Sequence, residues 1–244
     1  MISERIKNGE LKNIVGIPSS SKTEKEAIRL GIPIVTLNEV VKRETGNGKG
    51  ETRKVKRETE NEKQVAKQPG KFFYEEKISF NRLTSHVSRF TLIDLTIDGA
   101  DEFDMHLNLI KGGGGALLRE KILAQASKKL IIITDETKLS NHLGTKWPVP
   151  VEVFKFSVGV EQKFLESLNA KVELRKNSDG SNYITDENNF ILDANFGEIK
   201  NVKELSDILN DRAGIVGHGL FVGLTDKIIC AMDDGEIRIQ KSEV

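Results

Sequence analysis

The apolar run Leu130-Ile-Ile-Ile-Thr134 limits the folds available to this chain more than any other stretch of the sequence. Its continuous β-branched character is typical of a strand that is buried on both faces of a parallel sheet. A helix is predicted from Ala116 to about Lys129, and strands are predicted at Leu92 to Asp98 and at Leu107 to Ile110. Because strands and helices alternate in this way, we expect one doubly wound, Rossmann-like α/β sheet.

The amino-terminal region predicts a further βαβ unit. Asn13 to Ile17 is predicted to form a short strand, and Thr23 to Leu30 has the amphipathic spacing of a helix that Gly31 ends. Ile32 to Leu37 is the second strand of this unit. At the other end of the chain, Lys227 to Gln240 predicts a hairpin with an Asp-Gly pair in its turn.

The pattern of predicted elements changes after Trp147. Strand, helix, strands, helix and strand follow in that order, which is typical of a small ferredoxin-like α+β domain. The predicted strands lie at 151–154, at 171–175, as a pair within 183–194 and at 214–222, and the predicted helices lie at 160–168 and 202–211. We therefore expect a Rossmann-like domain of residues 1–147 plus 223–244, and a smaller α+β domain of residues 148–222.

A low-complexity segment is expected to interrupt the first domain. Between Lys42 and Lys67 there are nine Lys or Arg, five Glu and two clearly apolar residues, Val55 and Val65. Such a segment buries too little apolar surface to offset the entropy of ordering it, so we predict a disordered insertion at about 42–90. A basic arm that contacts an anionic partner is the alternative, but the interleaved glutamates weaken its positive field.

Charge and cysteine content exclude several classes of protein. Lys plus Arg and Asp plus Glu both number 37, and this balance argues against a dedicated nucleic-acid or anionic-membrane binder. The single cysteine, Cys230, excludes an intramolecular disulfide and favours a reducing, cytoplasmic compartment. No run approaches the roughly 20 apolar residues that span a bilayer. The start of the chain resembles neither a secretory signal nor a transit peptide, so an organellar form would need a transit peptide ahead of Met1.

Acidic residues cluster where the predicted strand at 92–98 ends, in Asp98-Gly-Ala-Asp101-Glu-Phe-Asp104. Ligands bind beyond the carboxyl ends of the strands in open α/β sheets. Carboxylates in that place accept hydrogen bonds from sugar hydroxyls or move protons, and the alternative is an acidic turn that caps the strand. A metal site is a weaker alternative, because the spacing is not that of a calcium loop. His86, His106 and His142 share no metal-ligand spacing either.

A second polar motif is Lys111, followed by the four glycines Gly112 to Gly115, between a predicted strand and a predicted helix. Consecutive glycines let backbone N–H groups approach a ligand, and the helix N-terminus favours an anion. The motif is neither a Walker loop nor a clean dinucleotide fingerprint, and a flexible turn is the alternative. Glu120 lies early in the helix, where a glutamate often only complements the helix dipole.

Together these groups fit a proton transfer between adjacent carbons of a sugar. This reaction needs a carboxylate base near the carbon, with a cation and amides that stabilise the enediolate oxygen. Glu120 is the candidate base, and Lys111 with the Gly112–Gly114 amides is the candidate stabilising group. Asp98 and Asp101 are candidates for holding hydroxyls or assisting ring opening. The scheme requires no metal and no organic cofactor.

Six runs along the chain carry a resemblance to a known family, namely IDGADEFD, LNLIKGGGGALLREKI, ITDETK, PVEV, ITDENNFILD and GIVGHGLF. In this order they resemble the A-type ribose-5-phosphate isomerases, over about Glu4 to Val41 and from Leu92 to the end of the chain. The joint presence of DGADE, KGGGG and LLREK makes the resemblance specific. It implies interconversion of ribose 5-phosphate and ribulose 5-phosphate through an enediol, in the non-oxidative pentose phosphate pathway. It also implies a homodimer or a larger homo-oligomer.

The resemblance also implies residue roles by motif match. The family's proton acceptor falls on Glu120, its substrate-contacting acidic pair on Asp98 and Asp101, and its active-site lysine on Lys111. A second substrate-binding lysine falls on Lys138. The remaining substrate contacts are expected in the two loops, at Gly99, Ala100, Gly112, Gly113 and Gly114.

Two departures from the family pattern support a second hypothesis. Family members usually carry a Gly-x-Gly-Ser-Thr type phosphate loop after a first strand, and this chain starts after that loop. Without that strand, the sheet is expected to expose an edge or apolar surface. The insertion at about 42–90 replaces a short connection. The alternative function is therefore a catalytically impaired or inactive sugar-phosphate-binding relative, and a shortened or mis-spliced chain is a third hypothesis.

Two further motifs have both a structural and a functional interpretation. His218, in Val216-Gly-His-Gly-Leu220, matches a family segment, and we favour a structural histidine. Ser19-Ser-Ser-Lys22 stands between a predicted strand and helix. Its hydroxyls and amides suit sugar or phosphate oxygens, and serine is also a preferred helix N-cap.

Overall fold

The computed structural model describes residues 2–46 and 92–242 of the chain. Most of the predicted insertion at about 42–90 lies outside these residues. Met1–Thr36 and Arg89–Val244 form one compact unit, and Leu37–Ser88 forms a second. The helix Leu37–Gly46 of the second unit includes the first residues of the expected disorder. These residues are mostly good helix formers, which explains the difference.

The described part of the chain alternates short helices and strands. Its helices are α1 (Ile2–Lys7), α2 (Ser21–Leu30), α3 (Leu37–Gly46), α4 (Leu117–Gln125), α5 (Val158–Ser167) and α6 (Val202–Asn210). Its strands are β1 (Thr96–Asp98), β2 (Glu102–Phe103), β3 (Leu109–Ile110), β4 (Leu130–Asp135), β5 (Val149–Val153), β6 (Lys171–Leu174), β7 (Phe190–Asn195), β8 (Ile215–His218), β9 (Leu220–Phe221), β10 (Lys227–Ala231) and β11 (Ile237–Lys241). Short 3-10 helices lie at Glu136–Lys138 and Lys155–Ser157. Among these described helices, none has the length and apolar character needed to span a membrane.

The first sheet has the strand order β1-β4-β10-β11. β4 pairs in parallel with β1 and with β10, while β10 and β11 form the predicted carboxyl-terminal hairpin. Ile132 is buried on the face that packs against α4, but Ile133 on the other face is 54% exposed. The prediction that this run is buried on both faces is therefore wrong for Ile133. Ile97 of β1 is 49% exposed, which matches the expected exposure of apolar surface.

The second sheet is a small antiparallel one with the order β2-β3-β9. The predicted strand at Leu107 to Ile110 is reduced to β3 and lies here, so the expectation of one doubly wound sheet is wrong for this segment. The carboxylate of Asp104 accepts hydrogen bonds from the N–H groups of His106, at 2.8 Å, and Asn108, at 2.9 Å. This tight turn returns the chain beside β2, and strands joined by so short a turn run antiparallel.

The amino-terminal unit keeps its predicted helix but not its predicted strands. Gly31 ends α2 at φ 69°, as predicted. The strands expected at 13–17 and 32–37 are reduced to one parallel bridge between Gly16 and Ile34. Pro18 and Pro33 explain the loss, because proline has no N–H group with which to extend a ladder.

The third sheet is antiparallel, with the order β6-β7-β5-β8, which is the strand order of a ferredoxin-like α+β unit. Helices α5 and α6 supply Leu165 and Leu209 to its core. Only β7 forms within 183–194, and the strand predicted at 214–222 divides into β8 and β9. Gly219 makes this division, because its N–H group donates to Pro150 in the third sheet and its carbonyl accepts from Lys111. The division into domains 1–147 plus 223–244 and 148–222 stays a prediction.

Neighbouring residues of β4 test the difference between the two faces of the first sheet. We expect Ile132→Ala to lower the free energy of unfolding by about 2–5 kcal/mol, because it leaves a cavity in a packed core. Ile133→Ala removes a half-exposed side chain from the same strand and should cost less than about 1 kcal/mol. Urea unfolding monitored by circular dichroism measures both changes, and equal losses would contradict the one-sided burial.

Candidate active site

Three of the predicted site residues meet at one buried ammonium group. Lys111 Nζ lies 2.9 Å from Asp98 Oδ2 and 3.2 Å from Glu120 Oε2. It also donates a hydrogen bond of 2.7 Å to the carbonyl of Gly99. Lys111 is only 3% exposed, so one cation at the carboxyl end of β1 joins the strand, the following loop and helix α4.

The backbone around Lys111 explains how the chain holds a lysine in this position. Its N–H group donates to Gly219 O at 2.9 Å, directly after the pairing of β3 with β9. A Cβ atom on Gly219 would lie 2.2 Å from the carbonyl oxygen of Lys111, so only glycine permits this approach. The ring of Phe221 in β9 lies under the side chain, with its centroid 5.5 Å from Nζ. This cation–π contact stabilises the ammonium group.

Glu120 lies in the first turn of α4 and is largely buried. Burial raises the pKa of this carboxyl, Lys111 opposes the shift, and the charges of Asp98 and Asp101 add to it, so the net pKa is raised. Burial by itself lowers the pKa of Lys111, but the charges of Glu120 and Asp98 outweigh it, so that pKa is raised as well. Lys111 is therefore a fixed cation beside a carboxylate of increased basicity.

The glycine loop lies against the second predicted aspartate. Gly113 N donates to Asp101 Oδ2 at 2.7 Å, and a Cβ atom on Gly113 would lie 2.6 Å from Asp101 Oδ1. Gly112 has φ 99°, a conformation that favours glycine. Gly114 is exposed, and a Cβ atom there would meet nothing within 4 Å. The loop thus presents backbone amides beside Asp101 and leaves open space at Gly114.

The other two predicted substrate contacts are Lys138 and Ala100. Lys138 follows β4 in a 3-10 helix, and its Nζ lies 5.6 Å from the ring centroid of Trp147. A Cβ atom on Gly113 would lie 3.0 Å from Cζ2 of the same indole, so the structure connects Lys138 to the loop through Trp147. Ala100 packs against the buried cluster that includes Phe103. Only the backbone of Ala100 is therefore suited to contact a ligand.

His218 is a buried structural histidine, and the serine motif provides the N-cap of a helix. His218 is fully buried, its Nε2 lies 2.9 Å from Asn210 Oδ1, and the N–H group of Leu220 donates to its Nδ1. Burial, with the nearby charge of Lys121, lowers the pKa of His218 to about 3. Ser20 Oγ accepts a hydrogen bond from Thr23 N and caps α2. Both features stabilise local structure.

Sequence reasoning missed four residues that border the cluster. They are Trp147, Phe221, Arg175 and Tyr183. Arg175 Nη1 donates to Gly112 O at 2.8 Å and to Gly113 O at 3.2 Å, and Tyr183 Oη donates to Gly114 O at 3.3 Å. These contacts join residues more than sixty positions apart, and no local pattern in the sequence signals them.

The cluster can hold an oxyanion and move a proton. It offers an ammonium group, backbone amides, and the carboxylate of Glu120, whose Oε2 lies 3.2 Å from Lys111 Nζ. Within the described ranges, no group of three or more His, Cys, Asp or Glu side chains is arranged to hold a metal ion.

Comparison with known proteins identifies relatives along nearly the whole chain. Residues 62–235 match the family model of ribose 5-phosphate isomerase A, also called phosphoriboisomerase A. The ribose-5-phosphate isomerase A of Desulfatibacillum aliphaticivorans is 44% identical over 234 residues, which cover 96% of this chain and 80% of that protein. That of Chloroflexus aurantiacus is 38% identical over 243 residues, which cover 100% of this chain and 81% of that protein.

Solved structures show the same relationship. A D-ribose-5-phosphate isomerase in complex with phospho-erythronic acid superposes with a TM-score of 0.75 at 30% identity, covering 99% of this chain and 83% of that one. The ribose 5-phosphate isomerase of Plasmodium falciparum superposes with a TM-score of 0.73 at 32% identity, covering 100% of this chain and 84% of that one. With the fold and the motifs, these matches show that the chain belongs to the ribose 5-phosphate isomerase A family.

Proposed function

We propose that this chain interconverts D-ribose 5-phosphate and D-ribulose 5-phosphate through an enediolate, as an aldose–ketose isomerase. The observation that carries the proposal is the meeting of Asp98, Lys111 and Glu120 at distances of 2.9 and 3.2 Å in a member of this family. Each group supplies one requirement of the reaction: a base, a cation that stabilises negative charge, and a partner that holds a hydroxyl.

Glu120 takes the proton from C2 of the open-chain aldose and returns it to C1. Its Oε2 lies 3.2 Å from Lys111 Nζ, and a carboxylate has further lone pairs that can accept a proton bound to carbon. Burial raises the pKa of this carboxyl, and the higher pKa makes it a stronger base. The electron pair of the broken C–H bond forms the C1–C2 double bond, and the negative charge falls on the C1 oxygen of the enediolate. The hydroxyl proton on C2 then passes to the C1 oxygen, so C1 becomes a hydroxymethyl group and C2 the ketone once Glu120 has returned its proton to C1.

Lys111 and the glycine loop stabilise the oxygen that becomes negative during this transfer. The ammonium lies within 3.2 Å of both carboxylates, and the amides of the Gly112–Gly114 loop border the same space. In a site that excludes water, fixed donors of this kind lower the barrier without reorganising during the reaction. Asp98 and Asp101 hold substrate hydroxyls or assist ring opening, and Lys138 with the backbone of Gly99 and Ala100 completes the substrate contacts.

The alternative function is a catalytically impaired or inactive relative that only binds sugar phosphates. A binding protein needs donors for hydroxyls and phosphate, but it has no need for a largely buried carboxylate beside a buried ammonium. Taking two such charges out of water costs free energy of folding. The presence of both Glu120 and Lys111 at 3.2 Å therefore favours turnover.

Family membership also supports proposals about the setting of the enzyme. We place the reaction in the non-oxidative pentose phosphate pathway, and we propose a homodimer or a larger homo-oligomer. The free thiol of Cys230 suits the reducing environment of the cytoplasm, where we place the protein. The substrate is a small sugar phosphate, and neither a nucleic acid nor a membrane is a proposed partner.

The base assignment predicts the effect of removing one carboxylate. Glu120→Gln keeps the size of the side chain but removes its basicity, so we expect kcat for ribose 5-phosphate to fall by about 10²–10⁴-fold. Glu236→Gln, in the exposed turn between β10 and β11, is the matched control and should keep the parent rate. Formation of ribulose 5-phosphate measures the rate, and circular dichroism verifies folding. A folded Glu120→Gln variant with full activity would refute the assignment, and a parent that binds ribose 5-phosphate without turnover would favour the alternative function.

The raised pKa of Glu120 predicts the acid side of the pH profile. A general base works only when ionised, so kcat/KM falls as the pH drops through the pKa of the free enzyme's base. Because burial raises this pKa, the acid limb should have its midpoint above the ordinary glutamate value of 4.5. Initial rates at low substrate concentration measure the limb, and circular dichroism at each pH separates it from unfolding. A limb centred at or below 4.5 would contradict the raised pKa.

A further inference from the structure

Arg175 reaches the glycine loop from the third sheet. It follows the last residue of β6, and its Nη1 donates to the carbonyl oxygens of Gly112, at 2.8 Å, and Gly113, at 3.2 Å. These are two successive peptide groups of the loop that borders Lys111 and Asp101. A single guanidinium nitrogen therefore holds two successive loop carbonyls, the first together with the N–H group of Gly115, which donates to Gly112 O at 2.9 Å.

The guanidinium is itself held rigidly. Its Nε donates to Asp193 Oδ2 at 2.8 Å, and its Nη2 donates to Asp193 Oδ1, so both carboxylate oxygens of a β7 residue are used. The Tyr183 ring lies 5.9 Å from the guanidinium carbon, and the Arg175 side chain is 13% exposed. A bidentate pair of this geometry restricts the planar fork to one orientation. Asp193 also balances the charge of Arg175. Arg175 therefore acts on the loop mainly by orienting its carbonyls, and not by adding a net positive charge.

Peptide geometry carries the orientation of the carbonyls to the amides. A trans peptide group is planar, and its carbonyl and N–H point in opposite directions. With Gly112 O held by Arg175, the N–H of Gly113 points away from it and donates to Asp101 at 2.7 Å. With Gly113 O held in the same way, the N–H of Gly114 also points away from Arg175. Tyr183 Oη donates to the next carbonyl, Gly114 O, at 3.3 Å.

We propose that Arg175 is a positioning residue that aims the Gly113 and Gly114 amides at the site, with Asp193 holding Arg175 in place. The amide of Gly113 orients Asp101, and the amide of Gly114 faces the substrate oxygen that gains negative charge. The inference rests on the proposed isomerase function, because the second amide needs an enediolate to stabilise. A lysine cannot replace the arginine, because one ammonium group cannot bind Asp193 in a bidentate manner and also hold two carbonyls.

A merely structural tether would have a different effect from a positioning residue. Loss of a tether between the loop and the third sheet lowers stability but leaves the folded enzyme with its normal kcat. Loss of the aimed amides affects the transition state more than the bound substrate, so kcat falls while KM changes little. A variant that loses stability but keeps kcat would therefore indicate a structural tether, and a folded variant that loses kcat but keeps KM would indicate a positioning residue.

Kinetics of Arg175→Lys and Asp193→Asn, measured well below their unfolding temperatures, test the proposal. We expect kcat for ribose 5-phosphate to fall by about 10²-fold in Arg175→Lys, as when one oxyanion donor is lost. KM should stay within about threefold of the parent value, since ground-state contacts are kept. Asp193→Asn should show a smaller fall of the same kind. Lys176→Met is the matched control, since the ammonium of this neighbouring lysine donates to Asn182, outside the glycine loop, and it should keep the parent kcat.

Two further measurements keep the proposal separate from the proposed function. Phospho-erythronic acid, the ligand of a related isomerase structure, carries a carboxylate at the end that reacts in the sugar. Calorimetry should show that Arg175→Lys loses more affinity for this acid than for ribose 5-phosphate. NMR with isotope-labelled glycine should show faster hydrogen exchange at the Gly113 and Gly114 amides in Arg175→Lys, and this measurement needs no turnover.

The outcomes distinguish a failure of the positioning role of Arg175 from a failure of the proposed isomerase function. A folded Arg175→Lys variant with kcat within about threefold of the parent would overturn the positioning role, while an inactive Glu120→Gln variant leaves the isomerase function standing. If the parent chain has no isomerase activity, the proposed function fails. Unchanged exchange at both glycine amides in Arg175→Lys would then refute the positioning role independently.

Discussion

The buried ammonium of Lys111 is the interaction on which the rest of the site depends. It is 3% exposed and contacts Asp98, Glu120 and the carbonyl of Gly99, which belong to a strand end, a helix and a loop. A charge taken out of water costs several kcal/mol unless partners replace its solvent. Two carboxylates and a carbonyl do so here. The cluster has one more negative than positive charge, which is consistent with the raised pKa of Glu120.

The glycine loop extends this constraint from the first sheet to the third. Lys111 pairs with Gly219 through its backbone, and the glycines that follow it contact Asp101 on one side and Arg175 on the other. The α+β region therefore contributes to the site, because its Arg175 side chain holds two of the loop carbonyls. Glycine is required at Gly113, where a Cβ atom would displace the carboxylate that its own amide binds.

The chemistry of the site was more predictable from the sequence than the pairing of its strands. Each of Asp98, Lys111 and Glu120 has a structural interpretation alone, but together they supply the base, the cation and the hydroxyl partner that one proton transfer needs. The short strands β2, β3 and β9 have too few residues to show a period, and β9 lies about 110 positions from its partner β3. Hydropathy also cannot tell which face of β4 the chain covers, which is why Ile133 was wrongly expected to be buried. Arg175 was missed because its partners in the glycine loop are backbone carbonyls, which carry no residue identity.

Two lysines share the ring of Phe221, and their pKa values move in opposite directions. Nζ of Lys111 lies 5.5 Å and Nζ of Lys121 lies 5.1 Å from its centroid. Burial lowers the pKa of Lys121 to about 7, and its Nζ lies 3.4 Å from Nδ1 of the neutral His218 ring. Lys111 has two carboxylates beside it, and their charges raise its pKa despite its burial. The positions of Asp98 and Glu120, and not the depth of burial, therefore decide which lysine is a permanent cation. A lysine that loses part of its charge near neutral pH could not stabilise an enediolate as effectively, so the chemistry requires the lysine that the carboxylates hold.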